Sequence, residues 1–410
     1  MEHVSKLGLA LSGGGFTGYL FEVGALAALD DLFEDGFTIN DFDLYIGVSA
    51  GSAAAALLAN GVKPKEILEA NLAQERPYYF GRRDIFAPAM REGFKTVLRA
   101  GRQLLPLLKL YYQNRGEMSL IDLLDQAQDA LPSGFYTLEP FARYLEETFA
   151  AKGLSNSFEG LRRELYIPVI DLETGQSVIF GEEGRRKVPI SRAITASSAA
   201  PIYFCPVRVD GRDYIDAGIG RLTFFEVAIR KGTDFLLVIN PTAHIENDSA
   251  ATVNRIHSGH PASIRDKGFL SIGEQASRIN LAARFSQALT LFRGAHPQIE
   301  FFVISPAATE ALLFERNFLS FGDRVHLLRC GYLSATKVIK EEFVHIQARF
   351  AQRGVSVSLE KFEERTKERI DQLESPAVSP PHTLARREAP GGESSAVSAM
   401  PDGRTRPPSR

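Results

Sequence analysis

Apolar residues along the chain follow two different spacings. Short, nearly continuous apolar runs have the length of single buried strands and lie at residues 7–11, 44–46, 164–171, 176–180, 235–239 and 299–304. Segments with helical apolar spacing lie between and after them, at residues 19–29, 62–74, 138–150, 190–200, 271–291, 311–328 and 359–373. This alternation predicts an α/β protein with buried parallel strands.

One of the predicted strands runs directly into a serine flanked by glycines. The run at 44–46 continues as Gly47-Val48-Ser49-Ala50-Gly51 and then as an alanine-rich helical segment. In a G-x-S-x-G elbow the glycines let strand and helix approach each other, and the serine hydroxyl stands at a helix N-terminus that favours negative charge. Ser49 is therefore a candidate nucleophile, with Gly47 and Gly51 as the elbow glycines. The alternative is a serine that only caps the helix.

A second glycine turn follows the first predicted strand, at residues 12–18. Its sequence, Ser-Gly-Gly-Gly-Phe-Thr-Gly, leads into a helical segment, and bare backbone N–H groups in such a turn can point at an anion. One interpretation is an oxyanion hole that serves Ser49 from the neighbouring strand. Another is a G-x-G-x-x-G dinucleotide fingerprint, for which Asp41 or Asp43 is a poorly placed ribose ligand. A plain tight turn is the third.

An aspartate just past another short strand is the candidate base. Asp216 follows Tyr214-Ile215 and precedes Ala217-Gly218. A carboxylate within reach of the Ser49 hydroxyl could accept its proton directly. An aspartate before a small residue and glycine is also a common turn former, so spacing alone leaves both interpretations open.

A basic amphipathic stretch interrupts the α/β pattern within residues 76–150. Between Arg82 and Arg115, basic and apolar side chains interleave, and Asp84 and Glu92 are the acids. Such a segment suits a helical cap or lid, or a face that touches a membrane surface. The alternative is an ordinary helical cap whose apolar stripe packs on the sheet.

Composition argues against nucleic acid and against a metal site. The 410 residues carry a net charge of -3, and no global basic character points to a polyanion. Cys205 and Cys330 are far apart and lack metal-ligand spacing, so neither a disulfide framework nor a structural zinc site is expected. We expect no cofactor, no metal and an activity independent of calcium.

The chain also lacks the usual marks of membrane insertion and export. No apolar stretch reaches the roughly 18 residues of a membrane span, and the N-terminal apolar run is too short for a signal peptide. We expect a cytoplasmic protein that touches membranes peripherally through 82–115, unless it is secreted by a route that leaves no N-terminal mark. Its oligomeric state is not indicated.

Length and local composition predict the domain organisation. With 44% hydrophobic residues, the chain can bury a large core. We expect a main domain at 1–340 that contains the 76–150 insertion, then a helical segment at 341–374. Proline, serine, glycine and arginine dominate the remainder, which predicts a disordered tail at 375–410.

Taken together, four sequence blocks resemble the patatin-like phospholipase family. They are Gly13-Gly14-Gly15-Phe16-Thr17-Gly18, Gly47-Val48-Ser49-Ala50-Gly51-Ser52, Ala196-Ser197-Ser198-Ala199-Ala200-Pro201 and Asp216-Ala217-Gly218, in the family's order. The resemblance implies a three-layer α/β/α fold and hydrolysis of lipid acyl esters by a Ser-Asp dyad without histidine. Carried over by position, Ser49 is the nucleophile and Asp216 the base. Gly13, Gly14 and Gly15 supply the oxyanion N–H groups.

Two positions differ from the family's usual pattern. Thr17 stands where the family commonly has Arg or Lys, and Asp-Ala-Gly replaces the usual Asp-Gly-Gly or Asp-Gly-Ala at Asp216. Both members of the dyad are retained. The resemblance therefore implies ester hydrolysis more directly than it implies a preference for phospholipids.

Three other functions remain open from the sequence. A Ser-His-Asp α/β-hydrolase would need one of His244, His257, His260, His296, His326 or His345. A dinucleotide-binding module would use the glycine turn and leave Ser49 and Asp216 idle. A non-catalytic membrane-surface protein would act through 82–115 and bind liposomes whether or not Ser49 is present.

Overall fold

The computed structural model describes residues 6–34, 36–89, 132–219, 223–242, 264–307 and 323–374. Most of the predicted cap and of the basic stretch, at 90–131, lies outside the described residues, as does the predicted tail at 375–410. The strands of the described part are β1 (Leu7–Leu11), β2 (Leu44–Gly47), β3 (Ala87–Pro88), β4 (Gly134–Thr137), β5 (Glu164–Asp171), β6 (Ser177–Phe180), β7 (Ile202–Phe204), β8 (Val207–Val209), β9 (Arg212–Asp216), β10 (Phe235–Ile239) and β11 (Glu300–Ile304).

The main sheet of the described residues has the order β11-β10-β1-β2-β5-β9-β8, and β6 also pairs with β5. The five strands from β11 to β5 run parallel to one another, whereas β6, β8 and β9 add antiparallel pairs. The prediction of a mostly parallel sheet is confirmed. Because β1 and β2 are parallel neighbours, with Leu11 opposite Gly47, the turns that follow them emerge side by side.

Helices cover both faces of this sheet. Those described are α1 (Gly15–Leu32), α2 (Gly51–Ala59), α3 (Pro64–Ala73), α4 (Arg82–Ile85), α5 (Glu139–Lys152), α6 (Ile190–Ser197), α7 (Thr223–Arg230), α8 (Phe269–Ala295), α9 (Arg324–Glu341), α10 (Phe343–Ala351) and α11 (Leu359–Glu374). Leu9 and Leu11 of β1 join an apolar cluster with α1, α2 and α9, whereas Ala10 joins a second cluster with α7 and α8. Alternate residues of one strand thus lie in two apolar cores, one on each face of the sheet. This confirms the three-layer α/β/α prediction.

Within the described helices, none combines the length and the apolar character needed to cross a bilayer. The described parts of the predicted cap form a small second sheet, β3-β4-β7, together with α4 and α5. Phe80 of this region contacts Phe141 and Tyr144 of α5 by their ring edges. These elements border the pocket described below.

One predicted helix is wrong in its bounds. The pattern at 311–328 indicated a helix ending near Leu328, but Asp323 has a left-handed backbone (φ 55°) and α9 begins after it and continues to Glu341. Cys330-Gly331-Tyr332 therefore lies inside a helix. Gly331 provides space there for a close helix crossing.

That crossing joins α1 to α9 through two glycines. A Cβ at Gly24 would overlap the Leu328 carbonyl oxygen, and a Cβ at Gly331 would overlap the Phe21 carbonyl oxygen. The backbones of the two helices therefore touch where neither helix carries a side chain. Since α1 also carries the glycine turn on its N-terminal end, this contact fixes the helix that supports the site.

We expect Gly24→Ala to lower the free energy of unfolding by roughly 1–3 kcal/mol or more, because the added methyl group forces two helix backbones apart. Gly273→Ala is the matched control. It lies in α8, and a Cβ there meets nothing within 4 Å, so the alanine should be neutral or stabilise by about 1 kcal/mol at most. Urea unfolding of both variants measures the difference. Equal midpoints for the two variants would contradict the assigned crossing.

Candidate active site

The candidate nucleophile lies on a tight turn between β2 and α2. Ser49 has φ 53°, an unusual left-handed conformation for a residue other than glycine. The Val48 N–H donates to the Leu11 carbonyl at 2.9 Å, and the Ser52 hydroxyl donates to the Ser49 carbonyl. A Cβ at Gly47 would overlap Ser52, so this position requires glycine. The strand, turn and helix predicted for the elbow are confirmed.

The glycine turn after β1 packs directly against this elbow. A Cβ at Gly13 would lie 2.7 Å from the Ser49 Cβ and 2.5 Å from the Val48 carbonyl oxygen. Gly13, Gly14 and Gly15 all have positive φ. Ser49 therefore occupies the space that a side chain at position 13 would need. This arrangement favours an oxyanion hole over a dinucleotide-binding turn.

The three predicted oxyanion glycines are not equivalent in the structure. The Gly13 N–H donates to the Glu22 carboxyl at 2.8 Å and so points away from the pocket, because that carboxyl is buried beneath the turn. Gly14 and Gly15 line the pocket with Ser49, and their N–H groups have no hydrogen-bond partner among the described residues. Because the Gly13 N–H is taken up by Glu22, the N–H groups of Gly14 and Gly15 are the remaining candidates for oxyanion donors.

Glu22 was not singled out by the sequence analysis, although it is the one charged residue in the apolar run 13–29. Its side chain is fully buried, and a Cβ at Gly51 would lie 2.9 Å from both of its oxygens. Burial raises the pKa of the Glu22 carboxyl well above its usual range, and the Gly13 hydrogen bond opposes this only in part. Glu22 thus ties the glycine turn to the elbow from beneath.

Asp216 ends β9, whose partner β5 lies next to β2. The carboxyl is 5% exposed, and it accepts the Gly218 N–H at 2.7 Å. Burial raises the pKa of Asp216 to about 6, while hydrogen bonding to Ser49 and to Gly218 lowers it. The structure therefore brings Ser49 and Asp216 together, as the position of the two motifs implied.

The third block of the resemblance lies behind the serine. The Ser49 N–H donates to the Ser197 hydroxyl at 2.9 Å, and that hydroxyl donates to the Pro168 carbonyl at 2.8 Å. Ser197 is the last residue of α6 and is fully buried. This chain of hydrogen bonds holds the strained turn against β5. The sequence analysis gave Ser197 no such role.

Ser49 and Asp216 open onto a pocket of about 310 Å³. Most of its wall is apolar and comes from α1, α2, the segment 80–85 that includes α4, the start of α5 and the small sheet: Phe16, Tyr19, Ala53, Phe80, Ile85, Leu138, Phe141 and Phe204. A mostly apolar cavity with a few convergent polar groups is typical of a binding site for an apolar ligand.

One wall of the pocket differs in character. Glu274, Arg278 and Arg284 project from α8, and Arg278 forms an ion pair with Glu274 at 2.5 Å. Thr17, which replaces the basic residue common in the family, is itself buried and lies within 3.4 Å of the Gly14 carbonyl. The positive charge near the pocket thus comes from α8, a helix that sequence reasoning did not connect to the site.

Among the described residues, the other ionisable groups that the sequence left open do not line the pocket. Within the described residues, no cluster of three or more His, Cys, Asp or Glu side chains could hold a metal ion. His296, His326 and His345 are described, and none lines the pocket. His244, His257 and His260 lie outside the described residues.

Comparison with curated proteins gives one relative with a functional name. The "Probable lipid hydrolase 463L" of Invertebrate iridescent virus 6 is 25% identical over 228 residues, which cover 54% of this chain and 63% of the relative. The chain thus matches less than two thirds of that protein's length.

Among solved structures, VipD from Legionella pneumophila is 15% identical with a TM-score of 0.36, and the match covers 82% of this chain and 67% of VipD. The type III effector protein ExoU of Pseudomonas aeruginosa is 14% identical with a TM-score of 0.32, covering 82% of this chain and 53% of ExoU. A family model described as patatin-like phospholipase matches residues 9–229. Because this match spans more than half of the sequence, the chain belongs to the patatin-like phospholipase family.

Proposed function

We propose that this protein is a lipid acyl hydrolase in which Ser49 is the nucleophile and Asp216 its base. The observation that carries the proposal is that Ser49 and the buried Asp216 line the same apolar pocket, where hydrogen bonding to Ser49 lowers the pKa of the Asp216 carboxyl. Membership of the patatin-like phospholipase family and the name of the viral relative support a lipid ester as the substrate.

In the first half of the reaction, Asp216 accepts the proton of Ser49 as the serine oxygen attacks the acyl carbonyl. The negative charge that develops on the carbonyl oxygen is stabilised by the Gly14 and Gly15 N–H groups at the N-terminus of α1. Asp216 then returns its proton to the departing alcohol. In the second half, a water molecule releases the fatty acid by the reverse relay.

A dyad is favoured over a histidine triad because Ser49 and Asp216 line the same pocket and none of the described histidines lines it. In a triad, an imidazole stands between the acid and the nucleophile. Here Asp216 lies close enough to Ser49 for hydrogen bonding to that residue to lower the carboxyl pKa, and the carboxyl also accepts the Gly218 N–H.

The walls of the pocket favour a particular kind of substrate. Aromatic and aliphatic side chains suit an acyl chain, and the arginines of α8 suit a negatively charged headgroup such as a phosphodiester. A phospholipase A activity or a lysophospholipase activity fits both features, and simple esters remain within reach of the same dyad. We further propose that residues 82–115 bring the protein to a membrane surface, and that the hydrolase domain spans 1–340.

Replacement of either dyad member tests the proposal. Ser49→Ala and Asp216→Asn should each lower kcat/KM toward a medium-chain nitrophenyl ester and phospholipid vesicles by at least about 1,000-fold. The first variant lacks the nucleophile, and the second lacks the base that accepts its proton. Asp213→Asn on the same strand is the matched control. Its carboxyl forms an ion pair with Arg208 away from the pocket, so activity should be retained.

Folding of the variants separates chemistry from stability. The pKa of Asp216 in the folded protein exceeds that of an exposed aspartate, so the ionised carboxylate lowers the free energy of unfolding at neutral pH. Asp216→Asn should therefore unfold at an equal or higher urea concentration. Alanine at each of the six candidate histidines should leave activity intact. Retention of most activity in Asp216→Asn, or its loss in one histidine variant, would overturn the dyad.

The pH dependence of activity should follow Asp216. The base must be ionised to accept a proton, so kcat/KM is expected to fall as pH drops through about 6, the raised pKa of this carboxyl. Initial rates between about pH 4 and about pH 9 measure the midpoint. A midpoint at about pH 4, the pKa of an exposed aspartate, would contradict the buried environment assigned to the base.

A further inference from the structure

A second, much smaller cavity lies beside the dyad. It has a volume of about 20 Å³ and is lined by Val48, which precedes the nucleophile, and by Ala217 and Gly218, which follow the base. Gly218 and three other residues, Ser12, Thr242 and Leu281, line both this cavity and the main pocket. The two spaces therefore meet beside the dyad, at residues that neighbour Ser49 and Asp216 in the fold.

The polar wall of the small cavity is organised around Asn240, at the end of β10. The Asn240 N–H donates to the Ile304 carbonyl at 2.8 Å. Its side-chain Oδ1 accepts the Ser12 hydroxyl at 2.9 Å and the Thr242 N–H at 3.1 Å. Because both bonds require an acceptor, they fix the orientation of the amide.

This orientation leaves the Nδ2 group of Asn240 to the cavity. Its two N–H donors have no hydrogen-bond partner among the described residues, although the side chain is only 6% exposed. Because Asn240 lines the cavity, a water or a ligand in that space can satisfy these donors. Neither the fold nor the acylation step described above uses these donors.

The size and the lining of the cavity fit one water molecule. A single water needs roughly 10–15 Å³ of such space and two to four polar partners. The Asn240 amide and the Ser12 and Thr242 hydroxyls offer one set of donors and acceptors. A larger polar group or an alkyl chain would not fit.

We propose that Asn240 holds the water that cleaves the acyl-enzyme, an inference that rests on the proposed function. The oxygen of this water forms a bond to the acyl carbon, and its proton passes to the Asp216 carboxylate. The tetrahedral intermediate then collapses, the bond between the acyl carbon and the Ser49 oxygen breaks, and the proton on Asp216 passes to that oxygen. Acylation needs no water and so does not involve Asn240.

Pre-steady-state kinetics of Asn240→Leu with a nitrophenyl ester tests this assignment. Nitrophenol release in the first turnover should keep its wild-type rate, whereas steady-state turnover should fall roughly tenfold or more, the equivalent of at least one hydrogen bond. The acyl-enzyme should accumulate on Ser49, where intact-protein mass spectrometry detects it. Hydroxylamine, which attacks the acyl-enzyme in place of water, should restore turnover.

A second variant guards against a folding defect in the first. Asn240→Asp has nearly the same shape and keeps the oxygen that accepts from Ser12 and Thr242, but it lacks the Nδ2 donors. It should also accumulate acyl-enzyme when assayed well above the pKa of Asp216. A purely structural Asn240 would slow acylation and deacylation together, and that result would overturn the inference. Unchanged steady-state turnover in both variants would overturn it as well.

Failure of the proposed function gives a different result. If wild type releases no nitrophenol, or if Ser49→Ala retains turnover, the acyl-enzyme itself is wrong and the inference is overturned with it. If wild type is active through Ser49 and the Asn240 variants show no acyl-enzyme, only the role of Asn240 is overturned.

Discussion

The site depends on one carboxylate that is buried beside one hydroxyl. Asp216 is nearly inaccessible to solvent, and burial raises its pKa to about 6. An exposed aspartate would be too weak a base to take a proton from serine, and full burial without hydrogen bonds would keep the carboxyl protonated at neutral pH. The Gly218 N–H and the Ser49 hydroxyl hold it between these limits.

The rest of the fold holds Ser49 and Asp216 next to each other. Parallel pairing of β1 with β2 sets the glycine turn against the elbow, and β5 connects β2 to the strand that carries Asp216. Ser197 and Glu22 then fix the two turns from behind through hydrogen bonds to the Ser49 and Gly13 N–H groups. The strained φ of Ser49 is thus held by contacts from three separate parts of the chain.

The local sequence pattern was enough to predict those parts of the candidate site that lie within a single turn. Ser49 and the glycine turn can be recognised because close backbone contacts there require glycine, and the glycines are visible in the sequence. The strand β10 can be recognised as a continuous apolar run. Asp216 needed the resemblance to a family, since one aspartate before a small residue looks like many turns. Glu22, Asn240 and the arginines of α8 depend on contacts between distant segments. The end of α9 was also missed, because the helix continues past Leu328 through Gly331, a glycine that its crossing with α1 requires.

Covalent labelling with a long-chain alkyl fluorophosphonate tests the central claim most directly, because the reagent reacts with an activated serine and also requires an apolar pocket. Peptide mapping should place the label on Ser49 in wild type, and Asp216→Asn should label far more slowly at neutral pH. Labelling of another serine, or labelling of Ser49 at the wild-type rate in Asp216→Asn, would contradict the account.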